Sequence, residues 1–175
     1  MKKVNVVLGT MTFGESVFAP NVSEFINTFL NMGYSDFDTA YVYNEGNCEK
    51  LLGDVLPELK WNYTIASKVN PRITGKLDAD AAYKQVNESL ERLGVDCVDI
   101  EYLHFPDPAT PVESVLEAMS DLHNKGKFKE LGLSNFPAWM VADVWHLCDK
   151  NGWVKPTVCA AVAAAEAVEE LCSCD

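Results

Sequence analysis

The residues best suited to chemistry in this chain are Asp38, Tyr43, Lys68, His104, Ser134 and Asn135. Asp38 ends a short apolar-polar stretch, and Tyr43 follows it by five residues within Asp38-Thr39-Ala40-Tyr41-Val42-Tyr43. A free phenol has a pKa near 10, so at neutral pH it is a reluctant acid. An ammonium beside it favours the phenolate and lowers that pKa, a role suited to Lys68 at the end of a mostly apolar stretch. Asp38 then keeps Lys68 charged and oriented. Such a relay protonates an oxygen as it becomes an alkoxide. His104 has the chemistry to orient a carbonyl by donating a hydrogen bond. The hydroxyl of Ser134 and the amide of Asn135 suit a carboxamide. Each residue alone also fits a plainer role: a core tyrosine, an Asp–Lys ion pair, a structural histidine, a turn and helix cap.

These residues need elements to bring them together, and the sequence supplies a regular series. Val4 to Leu8, Tyr34 to Asp38, Tyr63 to Val69, Val98 to Leu103, Phe128 to Leu133 and Pro156 to Cys159 read as strands. Between them, apolar residues recur at helical spacing, as in Val22, Phe25, Ile26, Phe29 and Leu30. Asn21 is expected to cap that first helix and Asp78 a later one. Thr110, Pro111 and Glu113 form the sequence of a capping box. A later helix is expected to bury Val141, Val144, Trp145 and Cys148. Strand and helix alternate at a spacing of about 30 residues, which marks βαβ units and a parallel sheet. No Gly-x-Gly-x-x-Gly follows the first strand, so the dinucleotide fingerprint of a Rossmann fold is missing. The candidate residues all lie just after strands, the catalytic end of a (β/α)8 barrel.

Composition narrows the function classes. The chain has 175 residues, 48% of them hydrophobic, enough for one domain with a sizeable core. A net charge of -12 argues against nucleic acid and anionic membrane as partners. No apolar run approaches the roughly 20 residues that span a bilayer. The expected location is the cytoplasm, and the six cysteines are expected to be free thiols. Cys172-Ser173-Cys174 has no partner set for a structural metal, so no metal site is expected.

At this point the motifs match a family. Gly9 to Gly14, Phe37 to Tyr43, Ser67 to Pro71, Tyr102-Leu103-His104 with Pro106-Asp107, and Gly126-Lys127-Phe128 leading to Gly132 to Phe136 resemble the aldo-keto reductases. Within them the aflatoxin-aldehyde (succinic semialdehyde) reductase group is most similar. The resemblance implies NADPH-dependent reduction of aldehydes and ketones on a (β/α)8 barrel. It makes Tyr43 the general acid, with Asp38 and Lys68 tuning it and His104 orienting the carbonyl. Met11 and Asp38 are implied to lie beside the cofactor, and Ser134 and Asn135 to hold its carboxamide.

The resemblance fades after Val158. Family members continue with Tyr-Gln and then Tyr-Asn, where this chain has Cys159-Ala160 and Ala163-Ala164. A complete barrel takes about 250 residues. The expectation is therefore a truncated, partial (β/α)8 barrel of six βα units over residues 1–159, with an alanine-rich, acidic, helical tail over 160–175. Such a chain has a small carbonyl compound as its implied ligand. The alternative is a non-catalytic partial barrel that binds as a homodimer or as a heteromer with a full-length relative.

Overall fold

Strand and helix alternate along the chain as the periodicity predicts. The order is β1 (Val7–Gly9), α1 (Ala19–Asn31), β2 (Asp36–Asp38), α2 (Asn47–Val55), β3 (Thr64–Val69), a single turn α3 (Pro71–Thr74), α4 (Ala79–Leu93), β4 (Val98–Leu103), α5 (Val112–Asn124), β5 (Phe128–Ser134), α6 (Ala138–Asn151) and β6 (Pro156–Ala160). This computed structural model describes residues 5–58 and 62–160. The expected alanine-rich tail falls almost wholly on 161–175 and lies outside the described residues. Six strands form one sheet in the order β1-β2-β3-β4-β5-β6, every neighbouring pair parallel. The architecture is a partial (β/α)8 barrel.

Parallel strands bury both faces, so alternate residues serve different layers. Register places Ser67 beside Glu101 and Glu101 beside Leu131, while Lys68 pairs with Tyr102 and Tyr102 with Gly132. The second set lies toward a cleft on the concave side, where Lys68 and Tyr102 are both lining residues. The first set faces the helices. There Ile26 and Leu30 of α1, Leu52 of α2, Val86 and Leu93 of α4, Met119 of α5, and Val144 and Cys148 of α6 are all buried. Removing each side chain of leucine size from water is worth about 1.5–3 kcal/mol. This layer is what holds the strand ends in place.

Several local expectations shift. β1 and β2 are shorter than the apolar stretches suggest, three residues each. α1 starts at Ala19 behind Phe18, without a side-chain cap, and Asn21 falls inside its first turn. Asp78 does cap α4, its carboxylate accepting from the Ala81 N–H at 3.0 Å. α5 begins at Val112 with no side-chain cap. Thr110 instead donates its hydroxyl to Asp107 at 2.6 Å, and Asp107 also accepts from the Leu77 and Ala109 N–H groups. The carboxylate is a strong, charge-assisted acceptor, and this bond holds the Thr110 hydroxyl toward Asp107. Trp145 is 41% exposed rather than buried, with the Lys155 ammonium 4.4 Å from its ring centroid.

Among the described residues no helix is long and apolar enough to cross a membrane. None of their His, Cys, Asp and Glu groups is arranged to hold a metal ion. Cys48, Cys97, Cys148 and Cys159 are free thiols.

Candidate active site

All candidate residues sit at one end of the sheet because every strand runs the same way. Hydrogen bonds past the strand ends hold that edge. The Thr39 N–H donates to Ala66 O at 2.9 Å, that of His104 to Val69 O at 2.9 Å, and that of Asn135 to Ala160 O at 3.0 Å. Met11, Asp38, Tyr43, Lys68, His104, Ser134 and Asn135 consequently line a single cleft of about 1000 Å³. Every site residue expected from the sequence is at this cleft. Met11 stands exposed on its rim, whereas Lys68, His104 and Ser134 are buried in its wall.

Lys68 is the electrostatic centre. Its ammonium makes an ion pair with Asp38 and donates to the Thr39 carbonyl at 2.7 Å. Burial pulls its pKa down, and the Asp38 charge opposes that pull. The Lys68 Nζ lies 5.1 Å from the Tyr43 ring centroid. The expected lowering of the Tyr43 pKa does not occur. Burial, reinforced by the charge of Asp38, pushes that phenol up to about 12. Burial is the larger cause, and the negative charge of Asp38, which is paired with Lys68, adds to it by disfavouring a phenolate. Tyr43 is thus held fully protonated, as a donor. The chain turns sharply just after it, with Asn44 and Glu45 at φ 46° and 55° in the left-handed region.

His104 meets Tyr43 edge-on, ring centroids 5.8 Å apart at 83°. It also stacks on Phe105 at 4.8 Å, and the Arg72 guanidinium lies over the Phe105 ring, 4.7 Å from its centroid. Burial first, then the charges of Lys68 and Arg72, push His104 down to about 4. The imidazole is therefore neutral at physiological pH. Its Nδ1 lies 3.1 Å from Asn70 Nδ2. Its backbone carbonyl accepts from Asn135 Nδ2 at 2.9 Å, and the same amide donates to Ser134 Oγ at 3.1 Å. Asn135 makes these bonds from φ 60°, a conformation asparagine tolerates better than most residues. With both amide hydrogens committed, Asn135 has its Oδ1 to offer a ligand and Ser134 its O–H.

The sequence reading missed Asn70, Arg72 and Phe105, which also line the cleft, and Gln85, which holds Asn70 from α4. A signal for Gln85 was present: a polar residue between Ala82 and Val86 on the apolar side of a helix. Asn70 also caps the turn that follows it, its side-chain oxygen accepting from the Arg72 N–H at 2.9 Å.

The aldo/keto reductase family matches residues 5–164 of the chain. The chain belongs to the aldo/keto reductase family. Among similar curated proteins, human aflatoxin B1 aldehyde reductase member 4 is 43% identical over 155 residues, 87% of this chain and 47% of that protein. Human aflatoxin B1 aldehyde reductase member 2 is 43% identical over 159 residues, covering 89% of this chain and 44% of that one. A putative voltage-gated potassium channel subunit beta from Schizosaccharomyces pombe is 31% identical, covering 85% of this chain and 46% of that one. The crystal structure of a thermostable aldo-keto reductase with the inhibitor epalrestat superimposes with a TM-score of 0.75 at 28% identity, over 87% of this chain and 56% of that one. This aldo/keto reductase chain spans about half the length of the curated relatives it matches.

Proposed function

We propose that this chain carries the proton-donating half of a carbonyl reductase, acting on aldehydes or ketones with NADPH. The observation that carries the reading is the convergence of Tyr43, the Lys68–Asp38 pair and a neutral His104 on one cleft. The aldehyde reductases among its relatives support an aldehyde as substrate. NADPH, when bound, supplies the hydride. Tyr43 donates a proton to the carbonyl oxygen, and His104 donates a hydrogen bond that orients the same oxygen. A phenol held at about 12 gives up its proton only as negative charge develops on that oxygen. The Lys68 ammonium, 5.1 Å from the Tyr43 ring centroid, attracts the resulting phenolate, and Asp38 opposes it.

The cleft fits the carboxamide end of the cofactor. Ser134 presents an O–H for the amide oxygen, and Asn135 presents Oδ1 for the amide nitrogen, with Met11 on the rim of the same cleft. Lys68 and Arg72 are the cations lining the cleft among the described residues, and Lys68 is held by Asp38. The fit to this chain is therefore argued for the nicotinamide end alone.

Titration of NADPH into the purified chain, followed by tryptophan quenching, tests the reading. Saturable quenching is expected, together with aldehyde-dependent NADPH oxidation. Tyr43→Phe should keep the binding and lose the oxidation. Absence of binding at millimolar NADPH, or turnover retained in Tyr43→Phe, overturns the proposal.

A second reading, a binding module that pairs with another copy or a full-length relative, is favoured by one observation. Val7 of β1 is 53% exposed, with Phe25 and Met32 of α1 at 51% and 64%, so one edge of the sheet presents apolar side chains to solvent. Sedimentation velocity distinguishes it, since a monomer at micromolar concentration is not such a pair.

A further inference from the structure

We propose that Asn70, itself held by Gln85 of α4, is a positioning residue that fixes His104 as the tautomer with its proton on Nε2. The inference rests on the proposed function for its catalytic meaning, but its structural content stands independently.

Amide oxygen and nitrogen are alike in shape, so the hydrogen-bond network must tell them apart. At Asn70 it does. The backbone N–H of Arg72 lies 2.9 Å from one side-chain atom of Asn70. A backbone N–H only donates, so that atom is the oxygen. The other atom is the NH2 group, and it faces His104 Nδ1 at 3.1 Å. An NH2 group has nothing to accept with, so Nδ1 must be the acceptor and carries no proton. The neutral ring then has its proton on Nε2, the nitrogen left for the cleft.

Gln85 is oriented by the same logic. The Asn70 backbone N–H donates to Gln85 Oε1 at 2.8 Å, and Gln85 Nε2 donates back to the Asn70 carbonyl at 3.0 Å. Gln85 is fully buried and Asn70 is 1% exposed, so water does not compete for these groups. Two amides are thus oriented entirely by backbone groups, and together they set the imidazole. The opposite tautomer would bring two buried donors face to face, neither of them satisfied.

The titratable and charged groups facing the ring are Lys68 from β3, Arg72 from the turn after it, and Tyr43 from the loop after β2. Both cations disfavour the imidazolium, which has N–H on both nitrogens and would not suit the Asn70 amide either. A neutral ring remains, and neutral rings must choose a nitrogen. An N–H on Nε2 is a donor for the carbonyl oxygen. A lone pair there would repel that oxygen.

The test uses the full chain. Long-range proton–nitrogen NMR resolves the ring nitrogens of its three histidines, with His104→Gln identifying the relevant set. At neutral pH, His104 is expected to show an unprotonated Nδ1 and a protonated Nε2. A protonated Nδ1, or a mixture of tautomers, overturns the proposal, and this measurement needs no variant at Asn70. Asn70→Asp keeps an oxygen for the Arg72 N–H but turns the group facing Nδ1 into an acceptor. It is expected to move the proton to Nδ1 and raise the ring pKa, and an unchanged tautomer overturns the role of Asn70.

Activity gives a second readout. Above the new ring pKa, Asn70→Asp should reduce aldehydes about 10²-fold more slowly, the loss typical of one missing donor. Below it, where both nitrogens carry protons, the rate should recover. A uniform loss across pH overturns the positioning role. If the unmutated chain turns over no aldehyde, the proposed function fails while the NMR result still decides the tautomer.

Discussion

Ser67 and Lys68 are consecutive residues of β3, yet they serve opposite electrostatic environments. On the cleft side, Lys68 has its charge matched by Asp38 and its ammonium near two phenol rings, 5.1 Å from the Tyr43 centroid and 5.6 Å from that of Tyr102. On the helix side, Ser67 donates to Glu49 at 2.6 Å, and Glu49 takes a second bond from Arg92 at 2.8 Å. Beside Glu49 lies Glu101, which is 1% exposed and has no partner for either carboxylate oxygen. Burial, with the Glu49 charge next, pushes Glu101 well above the ordinary carboxylate range. The cleft face holds a matched pair of charges, Lys68 and Asp38. The helix face holds one carboxylate matched by Arg92 and beside it one without a partner, which burial favours in its neutral form.

The contrast is testable from both sides. On the cleft face, Lys68→Met removes the cation that stabilises a developing phenolate and should lower kcat for aldehyde reduction about 10³-fold. Steady-state kinetics measure this, and a rate within tenfold of the parent chain removes Lys68 from the relay. On the helix face, Arg92→Ala leaves Glu49 buried with Ser67 alone. That should cost about 3–5 kcal/mol, as is usual when one partner of a buried pair is deleted, read by denaturant unfolding. Glu101→Met should do the reverse, raising stability by about 1–3 kcal/mol, because it removes an unsatisfied buried group.

The pH dependence is the most diagnostic, because the two faces respond with opposite sign. A glutamate whose folded pKa is raised makes stability fall as pH climbs above 4.5, since the native state alone keeps the proton. A histidine lowered from 6.5 to about 4 makes stability rise across that interval, since the unfolded state alone takes the proton. Above about pH 4.5 the Glu101 contribution falls with pH, while that of His104 rises until about pH 6.5, so the two oppose each other. Glu101→Gln should therefore add a positive slope relative to the parent in that window, and His104→Gln a negative one. Parallel stability curves for parent and variants would dissolve the contrast.

The legible part of this molecule was the part that repeats. Strand–helix alternation and candidate residues at successive strand ends were enough for a parallel barrel architecture and for bringing Asp38, Tyr43, Lys68, His104, Ser134 and Asn135 to one cleft, but not for Asn70, Arg72 and Phe105. Helical periodicity locates a buried stripe by its apolar members, so Gln85, Glu49 and Ser89 passed for surface although all three are buried. Glu101, between Ile100 and Tyr102, was hidden for the same reason within a strand. The direction of the Tyr43 shift was illegible on other grounds. Sequence suggests that Lys68 and Asp38 are near Tyr43, but not how deeply the phenol is buried, which is the first cause of its shift. The position of Thr110 turned on its bond to the Asp107 carboxylate, which spacing alone does not reveal.

Gly132 has one further consequence. A Cβ there would stand 2.3 Å from the Tyr102 ring, so the ring lies directly against the backbone of β5. An aromatic ring pressed on a strand in this way rotates about its axis only when the sheet breathes. Tyr102 forms part of the cleft wall. Its ring-flip rate is thus a clock for opening of the cleft, readable from the exchange of its paired ring protons, and a ligand that tightens the cleft should slow it.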